Sequence, residues 1–166
     1  MGNTSSQKGD RRERGLVTKA FNAGFGATRI PSSGAATDRP LPDVMMSREA
    51  HEITYHCACD GAQQAQGRLA RTWSIEVKGT SDGTARIGHD GIFGLCAHAR
   101  DWGSTPLIAV HPNYGDWGFF EPIELTIAPK SRGVTKAMLP GSSFEETFGK
   151  PANRARAGTR TEVVES

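Results

Sequence analysis

Two short segments of this sequence carry side chains of the types that hold a metal ion. Cys57-Ala58-Cys59 and Cys96-Ala97-His98 each place two donors at i and i+2, positions that share one side of a β-strand. Two such strands brought together would offer three thiolates and an imidazole, which zinc accepts in a tetrahedral site. The spacing argues against it: zinc-binding cysteines come as Cys-x2–4-Cys on a turn, and here 36 residues lie between the pairs. The expected arrangement is therefore buried thiols on an apolar strand face, with no metal and no other cofactor. Five histidines, His51, His56, His89, His98 and His111, form no His-Glu-x-x-His pair, and no nucleophile elbow, P-loop or dinucleotide fingerprint is present. Cys96 and His98 are too close along a strand to face each other as nucleophile and base. No catalytic residue is assigned, and an enzyme is not expected. Trp102, Tyr114 and Trp117 fall in expected turns. There an aromatic ring either offers a stacking surface or pins its turn to a sheet, and burial worth ~2 kcal/mol per ring favours the second.

The most specific pattern is at the N-terminus. Met1-Gly2-Asn3-Thr4-Ser5-Ser6-Gln7-Lys8 fits removal of Met1 and acylation of the Gly2 amine by myristate. A single acyl chain holds a membrane only marginally, so a second signal is required. Lys8, Arg11, Arg12, Arg14 and Lys19 supply it, each worth ~1 kcal/mol beside an anionic leaflet and offset in part by Asp10 and Glu13. On these residues the chain resembles myristoylated, membrane-apposed proteins, among them viral matrix proteins with a lipidated basic N-terminus on a small globular domain. The segment Ile123-Glu124-Leu125-Thr126-Ile127 is similar to a late strand of rhabdovirus-type matrix proteins, although the Pro-Pro-x-Tyr and Pro-Thr/Ser-Ala-Pro budding motifs are absent. The resemblance implies a peripheral membrane structural or adaptor protein, most concretely a viral matrix protein linking a membrane to an internal assembly. Its place would be the cytoplasmic face of a eukaryotic host membrane or a virion. Its partners would be an anionic membrane surface, further copies of itself and another protein. The alternative is a soluble β-sandwich that binds a sugar, nucleic acid or peptide through its aromatic turns.

The elements that position these residues follow from composition and charge. The 166 residues include 20 glycines and nine prolines, and the net charge is +2. That balance disfavours a uniformly basic nucleic-acid binder, and the frequent breakers disfavour long helices. No apolar run approaches the ~20 residues of a membrane span. Divided along the chain, residues 1–43 carry seven basic and four acidic groups, 44–130 seven and ten, and 131–166 six and four. The expected organisation is a lipidated, basic, flexible arm over 1–43, a β-rich domain over 44–140 and a flexible basic tail over 141–166. In the tail, Lys150, Arg154, Arg156 and Arg160 leave contact with nucleic-acid or lipid phosphates open.

The expected fold class is mainly β: a small antiparallel sheet, sandwich or partly closed barrel with few short helices. Leu69, Trp73, Ile75 and Val77 share one face of a half-buried strand, with Thr72, Ser74, Glu76 and Lys78 on the other. Ser81-Asp82-Gly83 reads as a hairpin turn, Asp90-Gly91 as a second turn, Leu107 to Val110 as a short strand, and Ile123 to Ile127 as the last strand. The run from Ile92 to Arg100 suits either an extended or a helical form. Short helices are expected near Ser47 to Glu52 and from Ser142 to Phe148, where Ser143 and Glu146 make a capping pattern. Leu16, Val17, Ala20, Phe21 and Phe25 fit one face of a short N-terminal helix.

Overall fold

The computed structural model describes residues 5–30, 41–56 and 64–149. The chain starts with helix α1 (Ser5–Asn22), followed by strand β1 (Gly26–Arg29), and then two long strands, β2 (Val44–His56) and β3 (Gln64–Thr80). Short strand β4 (Ala85–Gly88) leads into helix α2 (His89–Asp101) and strand β5 (Thr105–Pro112). Strands β6 (Gly118–Phe120), β7 (Thr126–Ala128) and β8 (Ser131–Val134), a 3-10 turn (Lys136–Met138) and helix α3 (Phe144–Phe148) complete it.

The apolar spacing in α1 buries Leu16 and Ala20, one turn apart, against the sheet. Gly24, at φ +85°, ends the helix. Its N–H donates to the carbonyl of Phe21 and that of Phe25 to Ala20, the paired C-terminal bonds that a left-handed glycine permits. Phe25 then drops into an aromatic cluster with Trp73, Phe144 and Phe148 at ring separations of 5.6–6.1 Å. Helix α3 reaches that cluster because Ser143 caps it. The Ser143 hydroxyl accepts from the Glu146 N–H, while the Ser143 N–H donates to the Glu146 carboxylate at 2.7 Å.

The main sheet has the order β1-β2-β3-β5-β6, and a second sheet the order β4-β8-β7. β3 and β5 run parallel, with Trp73 opposite Thr105 and Gly79 opposite His111, while the other paired strands are antiparallel. A parallel pair needs a crossover, and α2 provides it. One face of the main sheet packs Val44, Met46, Trp73, Ile75, Val77, Leu107 and Ala109 against α1 and α3. The other packs Ile108, Val110 and Phe120 against Ile92 and Leu95 of α2 and the second sheet.

A sheet covered on both faces makes the fold mixed α/β, with three α-helices and no closed barrel among the described residues. The expected β elements around β3 and β5 are present, but several details differ. Ser47 to Glu52 belongs to β2, paired with β3 across a bulge between Glu49 and Glu52, because cross-strand bonding outweighs the local propensity. The ambiguous stretch after Asp90 is helical, with Ile92, Leu95, His98 and Ala99 on its buried side. Ser81-Asp82-Gly83 does form a turn, Asp82 accepting from the Thr84 N–H and the Thr80 hydroxyl. It sends the chain to the second sheet rather than back along β3. In Ile123 to Ile127 only Leu125 is buried; Pro122 to Glu124 make a turn, Ile123 and Ile127 point outward, and the strand starts at Thr126. Trp117 is buried as a pin, whereas Trp102 and Tyr114 are exposed.

Candidate active site

Strands β1, β2 and β3 bring their chemically active residues to one end of the main sheet. Val44 pairs with Arg29 on one side and Ile75 on the other, so Asp43, just before β2, lies between Ile30, which follows Arg29, and Glu76. Asp43 is fixed by its own backbone, whose carbonyl accepts from the Ile30 N–H. Its carboxylate also accepts from the Val77 N–H at 2.8 Å. On β3, alternation turns Trp73, Ile75 and Val77 into the core and leaves Glu76 and Lys78 on the opposite face. The Lys78 ammonium donates to Glu76 Oε1 at 2.6 Å.

Helix α1, on the other face of the sheet, reaches this end through Arg29. Asp10 and Glu13, three residues apart and so on one side of the helix, both bind Arg29. The guanidinium Nη2 lies 2.8 Å from Asp10 Oδ1 and Nε donates to Glu13 Oε2 at 2.8 Å. Side-chain exposures of 16% for Glu13 and 17% for Glu76 leave both groups only partly wet. Burial, and then the Glu76 carboxylate beside it, push the Asp43 carboxyl above its ordinary range, against the pull of the Val77 N–H, Lys78 and Arg29. Two carboxylates held together at a cost, with a lysine and an arginine at hand, are arranged for charge they do not yet carry.

The two acids suit a hard divalent cation, because magnesium is commonly held by one or two carboxylates and completes its shell with water and substrate phosphate. No group of three His, Cys, Asp or Glu side chains able to cage a metal occurs among the described residues. The expectation of buried thiols on an apolar strand face does not hold at Cys96, which is a half-buried residue of helix α2. Cys57 and Cys59 lie outside the described residues, and Cys96 and His98 sit two apart on a helix, where they point to different sides. His98 is instead buried, its Nδ1 3.1 Å from the Ser74 hydroxyl.

Of the lipid-anchor residues, Gly2 lies outside the described residues. Lys8, Arg11, Arg12, Arg14 and Lys19 are all on α1. Lys8, Arg11 and Arg12 line one cavity, Arg14 is 4.0 Å from Asp10, and Lys19 lies over the Phe144 ring. Asp43, Glu76 and Lys78 are the residues that sequence reasoning passed over. The signal was there: an acidic residue and a lysine at i and i+2 near the end of a strand, an aspartate before another strand, and a glutamate on a preceding helix.

Most of the chain carries a family signature. The model of the archaeal Holliday junction resolvase (Hjc) family matches residues 4–63 and 65–155. A crossover junction endodeoxyribonuclease Hjc of Archaeoglobus fulgidus is 26% identical over 153 residues, covering 86% of this chain and 96% of that protein. The solved structure of the Archaeoglobus fulgidus Hjc Holliday junction resolvase superimposes with a TM-score of 0.65 at 24% identity, over 86% of this chain and 97% of that one. These matches overturn the resemblance to myristoylated matrix proteins. With it go the non-enzymatic membrane adaptor and its ligand-binding alternative, the anionic membrane as partner, and the placement at a host membrane or in a virion. The basic residues that suggested an anchor lie on a helix whose acidic side serves the candidate active site, a relation that linear spacing could not show. With a match running from residue 4 to residue 155, the chain belongs to the archaeal Holliday junction resolvase family.

Proposed function

We propose that this protein is a structure-selective endodeoxyribonuclease that cuts four-way DNA junctions by hydrolysing a backbone phosphodiester. The observation that carries the reading is the juxtaposition of Asp43 and Glu76 with the Lys78 ammonium on Glu76. In phosphodiester hydrolysis water adds to phosphorus, one P–O bond breaks, and the departing sugar oxygen takes up a proton. Asp43 and Glu76 would hold a divalent cation that, when bound, lowers the pKa of a water and offsets charge on the phosphate. Lys78 holds its proton at Nζ, 2.6 Å from Glu76, where it can donate a hydrogen bond to a non-bridging phosphate oxygen. Arg29, braced by Asp10 and Glu13, presents a fixed guanidinium at the same sheet end, a geometry suited to gripping a phosphate.

A strand-labelled synthetic four-way junction tests this. In magnesium the protein should nick the junction and leave a linear duplex of the same sequence intact; EDTA should stop cutting. Asp43→Asn should still bind the junction but not cut it. Cutting by Asp43→Asn at the wild-type rate would overturn the assignment.

Separating a four-way junction into two duplexes takes two cuts, and the described residues hold one such site, so the active species is two copies. Trp102 supports a place for the contact: it is 68% exposed, stacks on His98, and borders a groove with Met45, Met46 and Thr72. Exposed tryptophans of this kind anchor interfaces.

A further inference from the structure

Helix α1 is divided by charge. Asp10 and Glu13 occupy the side turned to Arg29. Lys8, Arg11, Arg12 and Gly15, at i, i+3, i+4 and i+7, occupy another. That second side forms one wall of a cavity of about 500 Å3, whose other wall is His111, Asn113 and Trp117 from the end of β5 and the loop after it. None of these lining residues is a carboxylate.

The cavity is constructed rather than incidental. Arg12 lies flat against β3 because residue 79 is glycine; a Cβ there would run into the guanidinium. Its Nη2 donates to Asn113 Oδ1 at 2.8 Å, and the Asn113 N–H donates to the Thr80 carbonyl. Buried Trp117 lies beneath, its ring 4.5 Å from that of His111. Burial first, then the neighbouring Arg12 charge, keep the His111 imidazole below its usual pKa, against the pull of Asp116. His111 therefore adds a hydrogen-bonding ring without adding a fourth charge to the wall. Gly79 follows Lys78 directly but faces α1 where Lys78 faces away, so this cavity and the candidate active site lie on opposite faces at one end of the same strand.

We propose that this cavity binds a second backbone phosphate of the junction DNA, separate from the one that is cut. Lys8 and Arg11 supply exposed charges, and Arg12 supplies one fixed by its bond to Asn113. The site rests on the nuclease reading above. It adds to it a place where the DNA is held one flank of α1 away from Asp43 and Glu76, so that the cut position is set by two phosphate contacts instead of one. Cations carried by one helix against a neutral polar wall suit a phosphodiester, which brings one negative charge and oxygen acceptors on two sides.

The test is junction binding measured by fluorescence anisotropy across a salt series, in EDTA, for the full chain and for Lys8→Gln/Arg11→Gln. Both side chains are exposed, so the variant should melt with the wild type. Removing two of the three cations that hold this one phosphate should flatten the slope of log K against log salt by roughly 1 and weaken binding on the order of 10-fold near 0.1 M salt. Lys8→Arg/Arg11→Lys, which keeps the charges, should restore the slope. Junctions carrying one uncharged methylphosphonate linkage at successive positions locate the contact: one linkage beside the cut should weaken wild-type binding and make no difference to the double variant. Wild-type affinity and slope in the double variant would sink the proposal, and so would a loss spread evenly over all linkages, which would mean a diffuse field. The nuclease reading fails separately, if the wild type binds junctions and does not cut them; the salt slope still reads the cavity in that case. Absence of junction binding by the wild type would overturn both.

Discussion

Asp43 is where function and stability pull in opposite directions. Its carboxyl is pushed above the ordinary range by burial and by Glu76, so the folded protein favours the protonated form more than the unfolded chain does. The linkage sign follows: stability is lost as pH rises from the unfolded value of about 3.9 through the raised folded value. Asp43→Asn should therefore abolish cutting while stabilising the fold at pH 7, read as a higher melting midpoint. The asparagine oxygen can still accept from the Val77 N–H, so the substitution removes charge and little else. An unchanged or lower midpoint by calorimetry would contradict the strain at this site. Cutting needs the Asp43 carboxylate ionised, so the acid limb of the pH–rate profile should lie above the usual aspartate range. Lys78 holds that limb down, since its charge is among those favouring the ionised form. Lys78→Met should slow cutting by about 100-fold and move the acid limb of the residual activity to higher pH. A limb that stays in place would separate Lys78 from Asp43.

Among the elements, α1 with β1 to β3 carries the candidate site, and the aromatic cluster beneath them keeps the sheet end in register. Phe148 touches Phe25, Trp73, Phe119 and Phe144 at ring separations of 4.8–5.9 Å, and its carbonyl accepts from Arg48 on β2. Phe148→Ala should cost about 3–5 kcal/mol, read as a lower denaturation midpoint, although the residue lies in the last short helix. Part of this layout was legible. Period-two alternation identified β3 because its Trp73, Ile75 and Val77 face a dry core, and the Ser143–Glu146 capping pattern marked α3 because that signal is local. The site was not legible for the same reason that the strand was. Alternation assigns Glu76 and Lys78 to the polar face, and a strand pattern cannot separate a solvated face from a catalytic one. What distinguishes them is Asp43, 33 positions earlier in the chain, brought alongside by the β2–β3 register. The parallel pairing of β3 with β5 was also hidden, because it depends on α2. That helix contains Gly91 and Gly94, which weaken a helical pattern, and it forms because Ile92, Leu95 and Ala99 are buried against the sheet.

At the scale of the molecule, the proposed junction substrate sets the stoichiometry. A four-way junction is resolved only when two strands are cut, and a single nick leaves the arms joined. Two copies related by a two-fold axis would present two Asp43–Glu76 pairs to the junction at once, through a contact that uses the same patch on each copy. The Trp102 surface fits that requirement: the indole stands 68% exposed on a ring stack with buried His98, and Ser74 and Ser104 hold the stack from beneath, their hydroxyls 2.6 Å apart. An indole fixed this way loses little conformational freedom when a partner covers it. The full chain should sediment as a dimer at micromolar concentration. Trp102→Ala should shift it towards the monomer without lowering the melting temperature of the monomer itself, since the side chain contributes little to the core. Cutting should change with it. On a supercoiled plasmid carrying an extruded cruciform, the wild type should make both cuts within one encounter and give linear product, whereas Trp102→Ala should accumulate the singly nicked circle. If the variant stays dimeric and still gives linear product, the contact lies elsewhere. If the wild type is a monomer at concentrations where it makes paired cuts, the two-copy reading itself falls.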